Sequence, residues 1–269
     1  MMRPSKNMLN LGCGDRFHRG WTNIDFAAKP PNVIGHDLRT CLPFNDESFD
    51  VVYHSHVLEH FSAIEGERLL CECLRVLTPG GLLRVAVPDL ENIARTYLHQ
   101  LEAVLSGDKS SEANYDWMLI ELFDQVKRNE NGGEMAEYLA QKQISNVQFV
   151  SERIGVNYFE LIRNNYASAD IPSKESLVKR VRGALGKILS RNRHFRYYQM
   201  GRFRNRGDIH YLMFDQYSLA RLMLKCGFVD VQRKTAFESS VESWPAYELD
   251  VKAGVVHAPL SLFMEARKP

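Results

Sequence analysis

Four side chains able to handle protons fall close together: His54, His56, Glu59 and His60. An oxygen or nitrogen that accepts a transferred group must lose a proton, and a nearby histidine or carboxylate takes it. Histidine titrates near neutral pH and suits that task. If the segment were a helix, His56 and His60 would share one face and could hold a metal ion. A second set suits a nucleoside. Leu9-Asn10-Leu11-Gly12-Cys13-Gly14 is a glycine loop, where a backbone without Cβ atoms lets a ligand approach closely. Taken alone the loop is equally a tight turn. Its company adds weight. Asp25 offers a carboxylate that accepts from both hydroxyls of a ribose, and Asp37-Leu38 supply groups for an adenine edge.

These groups need elements to position them. Met8 to Leu11, Trp21 to Phe26, Asn32 to Gly35, Phe49 to Tyr53 and Leu82 to Val87 read as strands. Ile64 to Leu77 has apolar residues at helical spacing and is stopped by Thr78-Pro79-Gly80-Gly81. Asp89 sits at the N-cap of a helix running to about Ser106. From 107 to 207 the pattern is helical, with helices predicted at Asn114 to Lys127, Glu134 to Phe149 and Tyr158 to Asn165. Then Phe214 to Cys226 reads as a helix, with strands at Phe228 to Phe237 and Leu260 to Ala266. Alternating strands and helices predict an α/β fold with a parallel sheet covered by helices on both faces. The expected division is 1–106 for the first part of the core, 107–207 for a helical insertion or lid, and 208–269 for the last part of the core. Glycine loop, Asp25 and Asp37 then stand at three successive strand ends, as a nucleoside site at a switch point would.

The segments LNLGCG, GWTNID, GHDL, LPFNDESFDVVYHSHVLEH and LRVLTPGGLLRVAVPD together resemble the class I S-adenosylmethionine-dependent methyltransferases. They are most similar to a subgroup encoded with bacterial surface-glycan genes. The resemblance covers about residues 8–105 and 208–236. It implies a Rossmann-like, doubly wound, seven-stranded sheet with the helical insertion before the last strands. It also implies S-adenosyl-L-methionine as cofactor. Matched residue by residue, Leu11, Gly12, Cys13 and Gly14 would face its methionine part. Asp25 would bind the ribose, with Phe26 beside the adenine and Asp37 and Leu38 at the adenine edge. His54, Ser55 and His56 would lie along the cofactor. Asn10 stands where many family members carry an acid, and the link from Gly14 to Trp21 is too short for the usual first helix, as it is in that subgroup. With so little chain before the first strand, the insertion is expected to close the cofactor pocket.

His56, Glu59, His60 and His210 are the candidate catalytic residues. For Glu59 and His60 the alternative is capping or packing of the following turn. For His210 it is packing near the start of the next helix. His56-Val57-Leu58-Glu59-His60 also matches the H-x-x-E-H pattern of inverted zinc proteases. That pattern belongs mid-helix and needs a further ligand, so no metal site is expected. The acceptor implied by the subgroup is a sugar or glycan precursor methylated on oxygen. A small molecule, or a non-catalytic nucleoside-binding scaffold, are the other readings.

Composition bounds the setting. Of 269 residues, 45% are hydrophobic and 25% charged, as in soluble globular proteins. Five scattered cysteines argue against an extracellular disulfide framework, and neither a spanning segment nor a signal peptide is recognisable. A cytoplasmic protein is expected. The net charge of +1 argues against a protein that coats nucleic acid, but it hides a split. Lys174 to Arg206 carries +10 and the remainder −9. That stretch is a basic amphipathic pattern with interleaved aromatics. It fits a lid helix with a solvated face, peripheral contact with the inner membrane face, or binding of a phosphorylated acceptor.

Overall fold

The computed structural model describes residues 6–130, 132–156, 159–160, 162–163, 193–204 and 207–269. The chain clusters into two units, Met1–Arg95 with Tyr211–Pro269, and Thr96–His210. The first junction lies inside a helix instead of after it, ahead of the expected boundary at 106.

The first unit is built on strands β1 (Met8–Leu11), β2 (Thr22–Asp25), β3 (Ile34–Gly35), β4 (Phe49–Ser55), β5 (Leu77–Pro88), β6 (Val229–Lys234) and β9 (Ser261–Arg267). Their order across the sheet is β3-β2-β1-β4-β5-β9-β6. The pairings from β3 to β5 are parallel, and β9 runs antiparallel to both β5 and β6. This is a Rossmann-like α/β fold with one antiparallel strand between β5 and β6. The strand order reverses between β1 and β4, so a crevice opens at their carboxyl ends. Two short strands, β7 (Val251–Lys252) and β8 (Val255–Val256), form a separate hairpin.

Helices of this unit start where side chains satisfy their first free N–H groups. Ser62 and Glu65 form a reciprocal capping box at α1 (Ala63–Val76). Asp89 Oδ1 accepts from Asn92 N–H at 3.2 Å and caps α2 (Leu90–Leu105). The Thr78–Gly81 segment ends α1 as expected, yet it also belongs to β5, which begins at Leu77 opposite Phe49.

Alternation along the strands sends side chains to two unlike faces. Leu9, Leu11, Val52, Leu83, Val85 and Met264 pack with Leu69, Leu70, Cys73, Leu219 and Met223 into one apolar core. On the other face, Val51, Tyr53 and Leu82 pack beneath Val241, Trp244 and Leu249. That second face also holds a buried charge cluster. Arg84 is fully buried in β5. It pairs with Asp250 at 2.7 Å and Glu265 at 2.9 Å, and lies 4.5 Å from the Trp244 ring centroid. Tyr53 Oη and Trp244 Nε1 also donate to Asp250, at 2.6 and 3.0 Å. Burial alone would raise the Glu265 carboxyl. Hydrogen bonds from Ser239 and Ser240, with Arg84 alongside, outweigh it and hold the group below its ordinary value.

The second unit carries helices α3 (Glu112–Lys127), α4 (Gly133–Leu139), α5 (Val147–Ile154) and α6 (Arg193–Arg204). No strand occurs among its described residues. The single helix expected over 134–149 is two, because Asn146 is used elsewhere. Its amide donates to the Ala113 carbonyl and accepts from Tyr138 Oη, both at 2.8 Å, which holds the chain out of helix before α5. Trp117 and Met118 are fully buried, and Glu121 pairs with Arg153. The helix expected over Tyr158 to Asn165 lies partly outside the described residues. Most of Lys174 to Arg206 does too. Back in the first unit, Asp215 caps α7 (Gln216–Lys225), which is shorter at its start than the expected 214–226.

Candidate active site

At the end of β1 the chain must turn beneath β4. Gly12 adopts φ +61°, and a Cβ there would lie 2.4 Å from Val57 Cγ2. Only glycine fits that approach. Gly14 also has positive φ, +54°, but no heavy atom lies within 4 Å of where its Cβ would be. The loop is therefore closed toward Val57 and open at Gly14. Asp25, ending β2, fixes the open part. Its Oδ2 accepts from Gly14 N–H at 2.9 Å and its Oδ1 from Ala27 N–H at 3.0 Å. Each carboxylate oxygen has a second acceptor site, so Asp25 retains capacity for two further donors. Lys29 Nζ, donating to the Gly14 carbonyl at 2.8 Å and to Asp15 at 2.6 Å, ties the loop from outside. Cys13 is buried, and burial with the Asp25 charge pushes its thiol up to about 11, so it stays protonated.

Asn10 turns inward. Its amide donates to the Arg16 carbonyl at 3.1 Å and to Asn23 Oδ1 at 3.3 Å, holding the short connection that replaces a first helix. Beyond Asp25, Phe26 is 76% exposed, as an aromatic face awaiting a partner would be. Asp37 is chelated by Arg39, Nε at 2.9 Å and Nη2 at 2.8 Å, and that contact holds its carboxyl below the usual range. Leu38 is half-buried against the apolar core.

The histidine segment separates into unlike parts. His54 shares the α1 face with Val52 and is fully buried, with neither ring nitrogen hydrogen-bonded. Burial pushes it down to about 4, against the opposing pull of Glu59, so it is neutral at pH 7. Its side chain belongs to the interior. Ser55 ends β4 and is half-buried. His56 has φ +54°, an unfavourable backbone for a residue with a side chain, of order 1–3 kcal/mol. The strain is held by its N–H on the Ala86 carbonyl at 2.9 Å. In this pose the imidazole bridges two groups. Nδ1 is 3.1 Å from Glu59 Oε1, and Nε2 is 2.9 Å from Ser261 Oγ.

Glu59 is fully buried, while the His56 side chain remains 31% exposed. Leu58–His60 is one turn of 3-10 helix. His56 and His60 therefore do not share the face of one helix, and the H-x-x-E-H geometry is not formed. The Glu59 carbonyl accepts from Tyr211 and Leu212 N–H groups at 2.8 and 3.3 Å, so this residue also anchors the return of the chain. His60 is half-buried. His210 belongs to the second unit, where it is buried and its N–H donates to the Gln125 carbonyl at 2.9 Å.

Ser261 is the group that sequence reading missed. Nothing in its spacing marks it. Only the antiparallel direction of β9 brings its first residue, opposite Pro88, to the edge where β4 and β5 end.

Residues 9–85 match the methyltransferase domain family. The matched segment runs from β1 into β5 and contains the glycine loop, Asp25 and His56. S-adenosylmethionine is the cofactor that this match implies. No curated protein matches the chain. Among solved structures, the [4+2]-cyclase SpnF is 25% identical over 30% of this chain and 38% of its own, at a TM-score of 0.25. An S-adenosylmethionine-dependent methyltransferase from Mesorhizobium loti is 18% identical over 31% and 47%, also at 0.25. One from Archaeoglobus fulgidus is 12% identical over 98% and 86%, at 0.40. The chain thus spans less than half the length of the first two.

The residues at the ends of β1 and β2 suit that cofactor. A ribose presents hydroxyl donors, and Asp25 is an acceptor with sites left over. The open side of Gly14 admits a ligand against bare backbone.

Proposed function

We propose that the chain is an S-adenosylmethionine-dependent methyltransferase that methylates an oxygen of a sugar or glycan precursor. The observation that supports the cofactor assignment best is the pairing of Asp25 with Gly14, which fixes an acceptor-only carboxylate beside an uncovered backbone. Asp25 would hold the ribose, Gly12 to Gly14 the methionine part, and Phe26 with Leu38 the adenine. When bound, S-adenosylmethionine supplies a methyl group already activated on a sulfonium. The chain's own residues then have two tasks, to align the acceptor and to take its proton. His56 is the base. Glu59 keeps the proton on Nδ1 and stabilises the imidazolium, leaving Nε2 as the acceptor. The sugar acceptor rests on the resemblance to the glycan subgroup alone. A cytoplasmic location with peripheral contact through Lys174 to Arg206 belongs to the same reading. Among the described residues, no helix is long and apolar enough to cross a membrane.

Titration calorimetry with S-adenosylmethionine tests the assignment. Wild type is expected to bind. Asp25→Ala is expected to bind roughly 10- to 100-fold more weakly, as loss of a charge-assisted hydrogen bond implies. No binding by wild type, or undiminished binding by Asp25→Ala, would overturn it.

A further inference from the structure

We propose that Ser261 is a nucleophile, activated by His56 and Glu59, which takes an acyl group from an ester at the edge where β4 and β5 end. Three observations on unlike elements carry this. Ser261 Oγ is 2.9 Å from His56 Nε2, the reach at which a hydroxyl hands its proton to an imidazole. Nδ1 of the same ring is 3.1 Å from Glu59 Oε1. The orienting carboxylate is fully buried, whereas the imidazole and the serine are each partly open. A nucleophile hydrogen-bonded to a base, with a buried acid at ion-pair distance on the base's other nitrogen, has the order of serine triads on several unrelated folds, which are recognised by geometry and not by chain order.

The backbone supports the same conclusion. His56 holds a left-handed conformation that its neighbours over-determine, and strained residues of this kind collect where a side chain must be aimed. In this proposal the ring proton sits on Nδ1, the nitrogen 3.1 Å from the buried Glu59 carboxyl. Nε2 then accepts, and the Ser261 hydroxyl donates.

The chemistry balances without an added reagent. Ser261 Oγ attacks the ester carbonyl, forming the Oγ–C bond, and its proton passes to His56 Nε2. The bond from carbonyl carbon to alcohol oxygen breaks, and the departing alkoxide takes that proton. Water then enters by the same route, returning free serine and a carboxylic acid. This activity does not depend on the methyltransferase reading. The same imidazole would serve both, the base for an acceptor when Ser261 is displaced and the base for Ser261 when it is not.

The test uses the full chain and two named probes. Diisopropyl fluorophosphate transfers its phosphoryl group to an activated serine and releases fluoride. p-Nitrophenyl acetate acylates it with a burst of p-nitrophenolate. One adduct on Ser261 by peptide mass spectrometry is expected, absent in Ser261→Ala. It should form about 100-fold or more slowly in His56→Asn and Glu59→Gln. Asparagine is chosen because it tolerates positive φ. Near-UV circular dichroism reports whether those variants keep the fold. Ser261→Ala, at a half-buried strand end, serves if they do not, since it alone must abolish both adduct and burst. No adduct on Ser261 in wild type, or equal labelling rates in a folded His56→Asn, overturns the proposal. Asp25→Ala separates the two readings: it should lose S-adenosylmethionine binding and still be labelled at Ser261.

Discussion

His54 and His56 are two residues apart on nearly continuous backbone, yet physical chemistry treats them in opposite ways. His54 is sealed in the apolar face and pushed down to about 4, from an ordinary value of 6.5. Between those two values the unfolded chain binds a proton that the folded chain refuses. Stability therefore falls as the pH drops from about 6.5 toward 4, and is unaffected by this group above 6.5. The shift corresponds to at most about 3 kcal/mol across that window. His54→Leu should flatten the acid limb of a urea-unfolding series, and it also removes two unpaired nitrogens from the core. An unchanged slope in the variant would show that other groups govern acid stability. The sequence made both histidines candidates because a one-dimensional pattern does not tell which side of a strand faces the core. Ser261 was illegible for a different reason. Its partner is far away in the chain, and only the direction of β9 brings the two together.

At the scale of elements, most of the strands and helices were readable. The runs at Met8 to Leu11 and Phe49 to Tyr53, and the spacing over Ile64 to Leu77, lead to β1, β4 and α1 within a residue or two. The segment from Thr235 to His257 was not readable. It has little regular structure, and its hairpin turns through Ala253 and Gly254, both at positive φ, where alanine gives no turn signal. A clue to its importance lay in β5, where Arg84 interrupts the apolar run LLRVAVP. A charge in a buried strand must have partners, and here they are Asp250 and Glu265. Arg84→Met should cost about 3–5 kcal/mol, since it strands two buried carboxylates. Urea unfolding measures this, and a loss under about 1 kcal/mol would mean that the segment is held by its apolar contacts alone. Asp250→Asn keeps the shape and most of the hydrogen bonds, so a smaller loss is expected.

On the scale of the molecule, the first unit carries the sheet and the second is helical where described. The sequence pattern changes at about Gly107, whereas the two units meet at Arg95, inside α2, which continues across that point without a break in its pattern. The charge split is the other global feature, +10 over Lys174 to Arg206 and −9 elsewhere. If that stretch meets an anionic surface, the chain should float with phosphatidylglycerol vesicles and not with phosphatidylcholine vesicles. Salt near 1 M, where the screening length is about 3 Å, should release it. Equal recovery with both lipids would count against membrane contact.

The antiparallel insertion of β9 has a consequence for the history of the molecule as well as for its site. β6 takes its place in the sheet through β9, and β9 is made some thirty residues after it. Until β9 is made, β5 is thus an open border and β6 has no strand beside it. β9 follows both of its partners in the chain and pairs with each of them. That pairing joins residues far apart in the chain and is slow on the scale of helix formation. Until it happens neither Ser261 nor Glu265 is in place. The Ser261–His56 contact and the charge cluster around Arg84 are completed in the same event, so the chain acquires its proposed chemistry and the closing of its sheet together.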